Sequence, residues 1–194
     1  MVESTGNKSR IYKYIIIFVI VTVINTLLAR FADVNFPNAP VVSNLYFAVA
    51  FMIVFTLWFG AWGAIAAYLG CIIGSGLSFV PFSVNLYWSL ADLWQVLIPL
   101  VAFKVLHVDI GLKTKRDFVI YLIFGWFLNC LIGAIWGSTM LAVGGVYGWS
   151  EVAKQFISWF VGDLIVVIVI TTLLLRYVTR YIVKSGLYVK NYWF

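Results

Sequence analysis

The sequence is poor in the residues that do chemistry. Histidine occurs once, at His107, and cysteine twice, at Cys71 and Cys130. His107 stands beside Lys104 and Asp109 at the edge of an apolar run. A lone imidazole there reads as solvated, too far from membrane depth to serve a Ser–His pair or a metal. Cys71 and Cys130 fall inside apolar runs and outside any paired motif, so they read as small buried hydrophobes and not as a disulfide. No glycine-rich phosphate loop and no Cys/His cluster occurs. An aspartyl pair of Asp92 with Asp163 finds no protease-like sequence around it. No catalytic residue, metal ligand or cofactor is expected, and the chain does not read as an enzyme.

Charge is scarce as well. Charged residues make up 10% of the chain and apolar ones 64%, a balance that excludes an ordinary soluble core. No polar stretch is long enough to fold by itself, so residues 1–194 read as a single integral membrane domain. The net charge of +6 is not a nucleic-acid footprint, and no nucleic-acid partner is expected. The basic residues sit in short loops and ends, where they set topology and meet anionic lipid headgroups.

What the sequence does have is long apolar runs, at about 12–30, 42–59, 62–80, 87–105, 118–142 and 155–178. At about 1.5 Å per residue each reaches across a hydrocarbon core of about 30 Å, the second and third only just. The expected fold is all-α, a polytopic membrane protein of six transmembrane helices in the plasma membrane. With the N-terminus cytoplasmic, all of the 13 Lys and Arg residues except Arg30 and Lys154 lie inside. That is the positive-inside pattern, and it places both termini in the cytoplasm, where a five-span count would put the C-terminal cluster outside. A signal peptide cut after Ala32 would put Arg30 where a small residue is required, so the first run reads as a retained helix. The outer loops, Asp33–Pro40, Ser78–Asn85 and Gly144–Ser150, are short and rich in turn residues. Trp62, Tyr147, Trp149, Tyr192 and Trp193 are expected at the membrane–water interfaces.

Two further patterns stand out. Ala66, Gly70 and Gly74 recur every four residues in the third run, as do Gly133 and Gly137 in the fifth. Such stripes let helix backbones approach closely in lipid, within the bundle or against a partner. Polar side chains also punctuate the last three runs. Asp92 and Gln95 share a face of the fourth with Trp88, Asn129 lies near the middle of the fifth, and Asp163 follows Trp159 by one turn in the sixth. A charge in hydrocarbon costs about 2.5–3.5 kcal/mol, so such groups face a cavity or a partner. Aromatic walls with a few polar anchors are the make-up of a small-molecule site. Trp88, Asp92, Trp94, Gln95, Asn129, Trp159 and Asp163 are therefore the expected ligand-binding residues, opening outward. Interhelical hydrogen bonding that only holds the bundle together is the alternative.

Six spans in so short a chain, with the segment from Phe59-Gly60-Ala61-Trp62-Gly63 through Gly70 and Gly74, resemble the substrate-binding S subunits of energy-coupling-factor (ECF) transporters. Over residues 40–178, Trp88-Ser89-Leu90-Ala91-Asp92-Leu93-Trp94-Gln95 and Trp159-Phe160-Val161-Gly162-Asp163-Leu164 also resemble the membrane-associated sensor domains of bacterial histidine kinases. The Gly162-Asp163 element of those domains is present, but the proline that follows it there is missing near Thr171-Thr172. The first resemblance implies a substrate-capture subunit that takes a small molecule from the outer side, with a transmembrane coupling protein and ATPases as partners. The second implies a sensor-type or accessory subunit docked in a larger membrane complex without ligand traffic.

Overall fold

A computed structural model of the chain describes residues 3–34 and 45–194. Its elements are helix α1 (Glu3–Phe31), strand β1 (Asp33–Val34), strand β2 (Leu45–Tyr46) and helices α2 (Ala48–Phe59), α3 (Ala61–Phe79), α4 (Phe82–Val105), α5 (Lys115–Val143) and α6 (Trp149–Lys184). Among the described residues, all of these helices except α2 are long and apolar enough to cross a membrane. The residues Asn35–Pro40 of the first outer loop, and 42–44 at the head of the second apolar run, lie outside the described residues.

The second run differs from its sequence reading. Its helix is only Ala48–Phe59, because Leu45–Tyr46 is extended and pairs antiparallel with Asp33–Val34. A helix of 12 residues at about 1.5 Å each reaches about 18 Å, well short of a hydrocarbon core of about 30 Å. The helix is apolar all round and buried along nearly its whole length, as a central helix must be. It contacts α1, α3, α4 and α6. Helix α1 lies mostly on α3, with Ile16, Val19, Ile20, Val23 and Leu27 turned away from the protein.

Small residues set the approach of α1, α2 and α3. A Cβ on Gly70 would stand 2.5 Å from Asn25 Cβ, and one on Gly74 would stand 2.6 Å from the Thr26 carbonyl and 2.8 Å from Ala29 Cβ. The stripe on α3, with buried Ala66 between, is thus covered by α1 of the same chain. Gly63 similarly leaves no room between α3 and the Phe55–Thr56 backbone of α2. Gly60 makes the turn joining these two helices, with φ of 63°, a conformation that side-chain-bearing residues avoid.

The last ten residues fold back across that turn. The Ala61 amide donates to the Tyr192 carbonyl at 2.6 Å and the Val189 amide to the Trp58 carbonyl at 2.8 Å. Trp62 Nε1 donates to the Trp193 carbonyl at 3.1 Å, and the two indoles meet edge to face. Lys13 Nζ reaches the Gly186 carbonyl at 3.2 Å, and the Tyr14 and Phe194 rings lie 5.8 Å apart. Lys104 Nζ donates to the carbonyls of Val189 and Lys190. This end of the bundle, the tail end, therefore gathers the foot of α1, the α2–α3 turn, the end of α4 and the C-terminal segment. Between α4 and α5, Thr114 caps α5: its hydroxyl oxygen accepts from the Asp117 amide while the Asp117 carboxylate takes the Thr114 amide, the reciprocal arrangement that starts a helix cleanly. The opposite end carries the strand pair, and there Arg30 donates to Ser78 Oγ at 2.9 Å.

Candidate functional site

The polar residues of α4, α5 and α6 are buried inside the bundle, and those of α4 and α6 meet there. Asp92 is 2%, Gln95 0%, Asn129 0% and Asp163 1% exposed, so none of the four faces lipid. The tightest link joins α4 to α6: Gln95 Nε2 donates to Asp163 Oδ2 at 2.6 Å. Trp159 Nε1 donates to the same oxygen at 3.0 Å, one helical turn away. Asp92 accepts the Tyr46 hydroxyl at 3.3 Å, which ties strand β2 to α4.

Glycines on α5 make room for this cluster. A Cβ on Gly133 would overlap the Gln95 side chain, and one on Gly137 would overlap the Trp159 ring. The Gly133 and Gly137 stripe therefore seats the two residues that hold Asp163. Trp88 lies edge-on to Trp159, with ring centroids 6.1 Å apart, so the aromatic wall of the cluster comes from α4 and α6 together.

Two expected residues are placed differently from the rest. Asn129 Nδ2 donates to the Gly125 carbonyl of its own helix at 2.6 Å, and not to Asp163. Gly125 lies in a π-helical stretch, Tyr121–Leu128, and such a turn leaves carbonyls without their usual helical partner. Trp94 projects to a flank of α4, where it packs edge to face on Trp136, and Trp136 Nε1 donates to the Tyr87 carbonyl at 2.7 Å.

The cluster keeps unused hydrogen-bonding capacity. Gln95 Oε1, Asn129 Oδ1, Trp88 Nε1 and Trp94 Nε1 are buried with no hydrogen-bond partner. An unpaired buried polar group costs about 1–3 kcal/mol, so each of these four calls for a reason. Amide geometry fixes one of them: Gln95 Oε1 shares a carbon with the Nε2 that binds Asp163, so it lies at the heart of the cluster.

Residues not singled out from the sequence also belong here. Tyr46 reads as part of an apolar run, and its bond to Asp92 depends on the strand pair. Gln155, 1% exposed, sits one turn before Trp159. Asn25 is buried in α1 against Gly70, with neither amide atom partnered; a polar residue inside an apolar run is the signal that marks it. Among the described residues no group of His, Cys, Asp and Glu could hold a metal ion. Comparison with known proteins finds no family model, no curated protein and no solved structure that matches this chain.

Proposed function

We propose that the chain is the membrane-embedded substrate-binding subunit of a multi-subunit importer of the ECF type, which captures a small molecule from the outer side. It spans the plasma membrane six times with both termini cytoplasmic, and other membrane subunits supply coupling and ATP hydrolysis. The basic residues of the sequence support that orientation. The contacts of Lys13 with Gly186 and of Tyr14 with Phe194 support an even number of crossings, since they bring the start of the first helix and the tail after the last one to the same face. Helix α2 then makes the sixth crossing, with the extended Leu45–Tyr46 completing its outer end.

The observation that carries the ligand reading is the set of unpartnered buried atoms at Gln95, Asn129 and Trp88, with Gln95 itself bonded to an Asp163 already fixed by two donors. A small polar molecule between α4, α5 and α6 would use these acceptors and donors, with the Trp88 and Trp159 rings as walls. Strand β2 brings Tyr46 to Asp92 at the outer end and supplies one edge of the entrance.

A second reading has its own support. Gln95, Asp163 and Trp159 already bond one another, and Gly133 and Gly137 pack against them without slack. A polar knot of that kind also serves an accessory subunit that holds its helices together and docks in a larger complex. Purification under mild conditions, with mass spectrometry of both proteins and small molecules, separates the two. A stoichiometric small molecule, with ATPase and coupling subunits, fits the first reading. Stoichiometric recovery of a complex with no transport subunit and no small molecule defeats it in favour of the second.

A further inference from the structure

We propose that a cavity at the tail end of the bundle, separate from the α4–α5–α6 cluster, binds a phosphate-bearing molecule. The cavity has a volume of about 460 Å³, within the range of about 300–1,000 Å³ typical of small-molecule sites. Its basic residues come from three places: Lys104 at the end of α4, His107 in the loop that follows, and Lys190 in the C-terminal segment. Leu57, Phe103 and Ile110 supply an apolar wall, and no Asp or Glu lines it among the described residues. Asp109, next to Ile110, is turned to Lys113 Nζ at 2.9 Å and to the Gly111 amide at 2.8 Å.

Lys104 is the fixed point of the site. Its ammonium donates to the Val189 carbonyl at 3.1 Å and the Lys190 carbonyl at 2.5 Å, and stands 5.3 Å over the Tyr188 ring. An ammonium has three N–H groups, so one remains for a ligand. His107 and Lys190 are exposed at the rim. The imidazole donates an N–H in either protonation state. His107 itself has φ of 51°, a backbone state that non-glycine residues enter seldom. Asn191 and Tyr192 add polar groups from the tail. The far wall is preformed, because the Val189 and Ala61 amide bonds pin the tail to α2 and α3.

Basic side chains brought from three places to line one half-open space suit a multi-oxygen anion, and charge-assisted bonds to phosphate are the strong ones. The apolar wall suits the carbon skeleton of a phosphate ester. Two sources share that chemistry, the headgroup of an anionic lipid in the adjoining leaflet and a soluble phosphate ester.

The test uses the full chain and two probes. Retention of phosphatidylglycerol against phosphatidylcholine is read by native mass spectrometry, and binding of inorganic pyrophosphate by equilibrium dialysis. The variant His107→Gln/Lys190→Gln spares Lys104, which holds the tail. A direct hydrogen bond to a charged group is worth about tenfold or more, so the double variant is expected to lose about tenfold or more. Lys113→Gln/Lys115→Gln, outside the cavity, is expected to change binding less than about twofold, because it removes no direct contact with the ligand, Lys113 is already paired with Asp109, and exposed charges at a distance are screened by salt. Selective loss of phosphatidylglycerol assigns the site to a lipid headgroup, and selective loss of pyrophosphate assigns it to a soluble ester. Failure of both probes to bind overturns the proposal. So does a His107/Lys190 variant that binds like the wild type, or an equal loss in the Lys113/Lys115 control.

Discussion

Gly133→Ala tests whether α5 seats Gln95 as the structure places it. The added methyl would stand 2.6 Å from Gln95 Nε2 and overlap the rest of that side chain. Gln95 must then leave Asp163, which it holds at 2.6 Å. Overpacking a filled site costs about 1–3 kcal/mol. A lost interhelical hydrogen bond in a membrane bundle adds about 0.6–1.7 kcal/mol. Alanine returns about 1 kcal/mol through its higher helix propensity, which leaves a net loss of about 1–4 kcal/mol. The assay is reversible unfolding in mixed micelles by added SDS, followed by tryptophan fluorescence. Gly148→Ala is the control: its nearest neighbour would be Ser150 Oγ at 3.7 Å, and its effect should stay within about 0.5 kcal/mol. A second background sharpens the result. With Gln95→Ala the clashing side chain is gone, so Gly133→Ala should then cost less than about 0.5 kcal/mol, a coupling that only residues in contact show. Equal costs in the two backgrounds, or no cost in either, would refute the packing argument.

Two further outcomes follow from the same geometry. Replacing both Gly70 and Gly74 with Leu should force α1 off α3, because Asn25, Thr26 and Ala29 already occupy the space; yield and thermal stability of the purified protein should fall sharply, and normal values would leave the stripe without a role. Cysteines introduced at Ser4 and Ser185 should resist a membrane-impermeant maleimide added to intact cells and react after permeabilisation; efficient labelling of either from outside would remove the six-span orientation.

The long helices were legible because a hydrocarbon core demands apolar length, and the boundaries of α3 to α6 differ from the sequence reading by only a few residues at most ends. The shortness of α2 was not legible. Leu45 and Tyr46 look like the rest of an apolar run, and their extended form depends on a partner strand at Asp33–Val34 that local pattern does not reveal. The fold of the tail escaped for the same reason. Tyr192 and Trp193 read as interfacial aromatics, yet the Tyr192 and Trp193 carbonyls accept from Ala61 and Trp62, and Val189 is fully buried. In the cluster, helical spacing put Asp92, Gln95 and Trp88 on one face of α4. The bond between Gln95 and Asp163 joins residues far apart in sequence, and only packing selects it. Asn129 carried the same signal as Gln95 but spends its amide donor on the π-helical turn at Gly125. Asn25 carried that signal too, and belongs with the buried polar set.

The central claim is that the buried cluster of α4, α5 and α6 is built around a ligand. The most direct measurement is the amount of small molecule that stays with the purified protein, compared between wild type and Asp92→Ala, with Trp149→Phe, at an exposed position, as control. A defined molecule is expected on the wild type and the control. Asp92→Ala is expected to retain it at least tenfold more weakly, about 1.4 kcal/mol of lost affinity, in a protein that still elutes as a folded species. A wild type that carries and binds nothing, or an Asp92→Ala protein that retains the molecule undiminished, would contradict that claim.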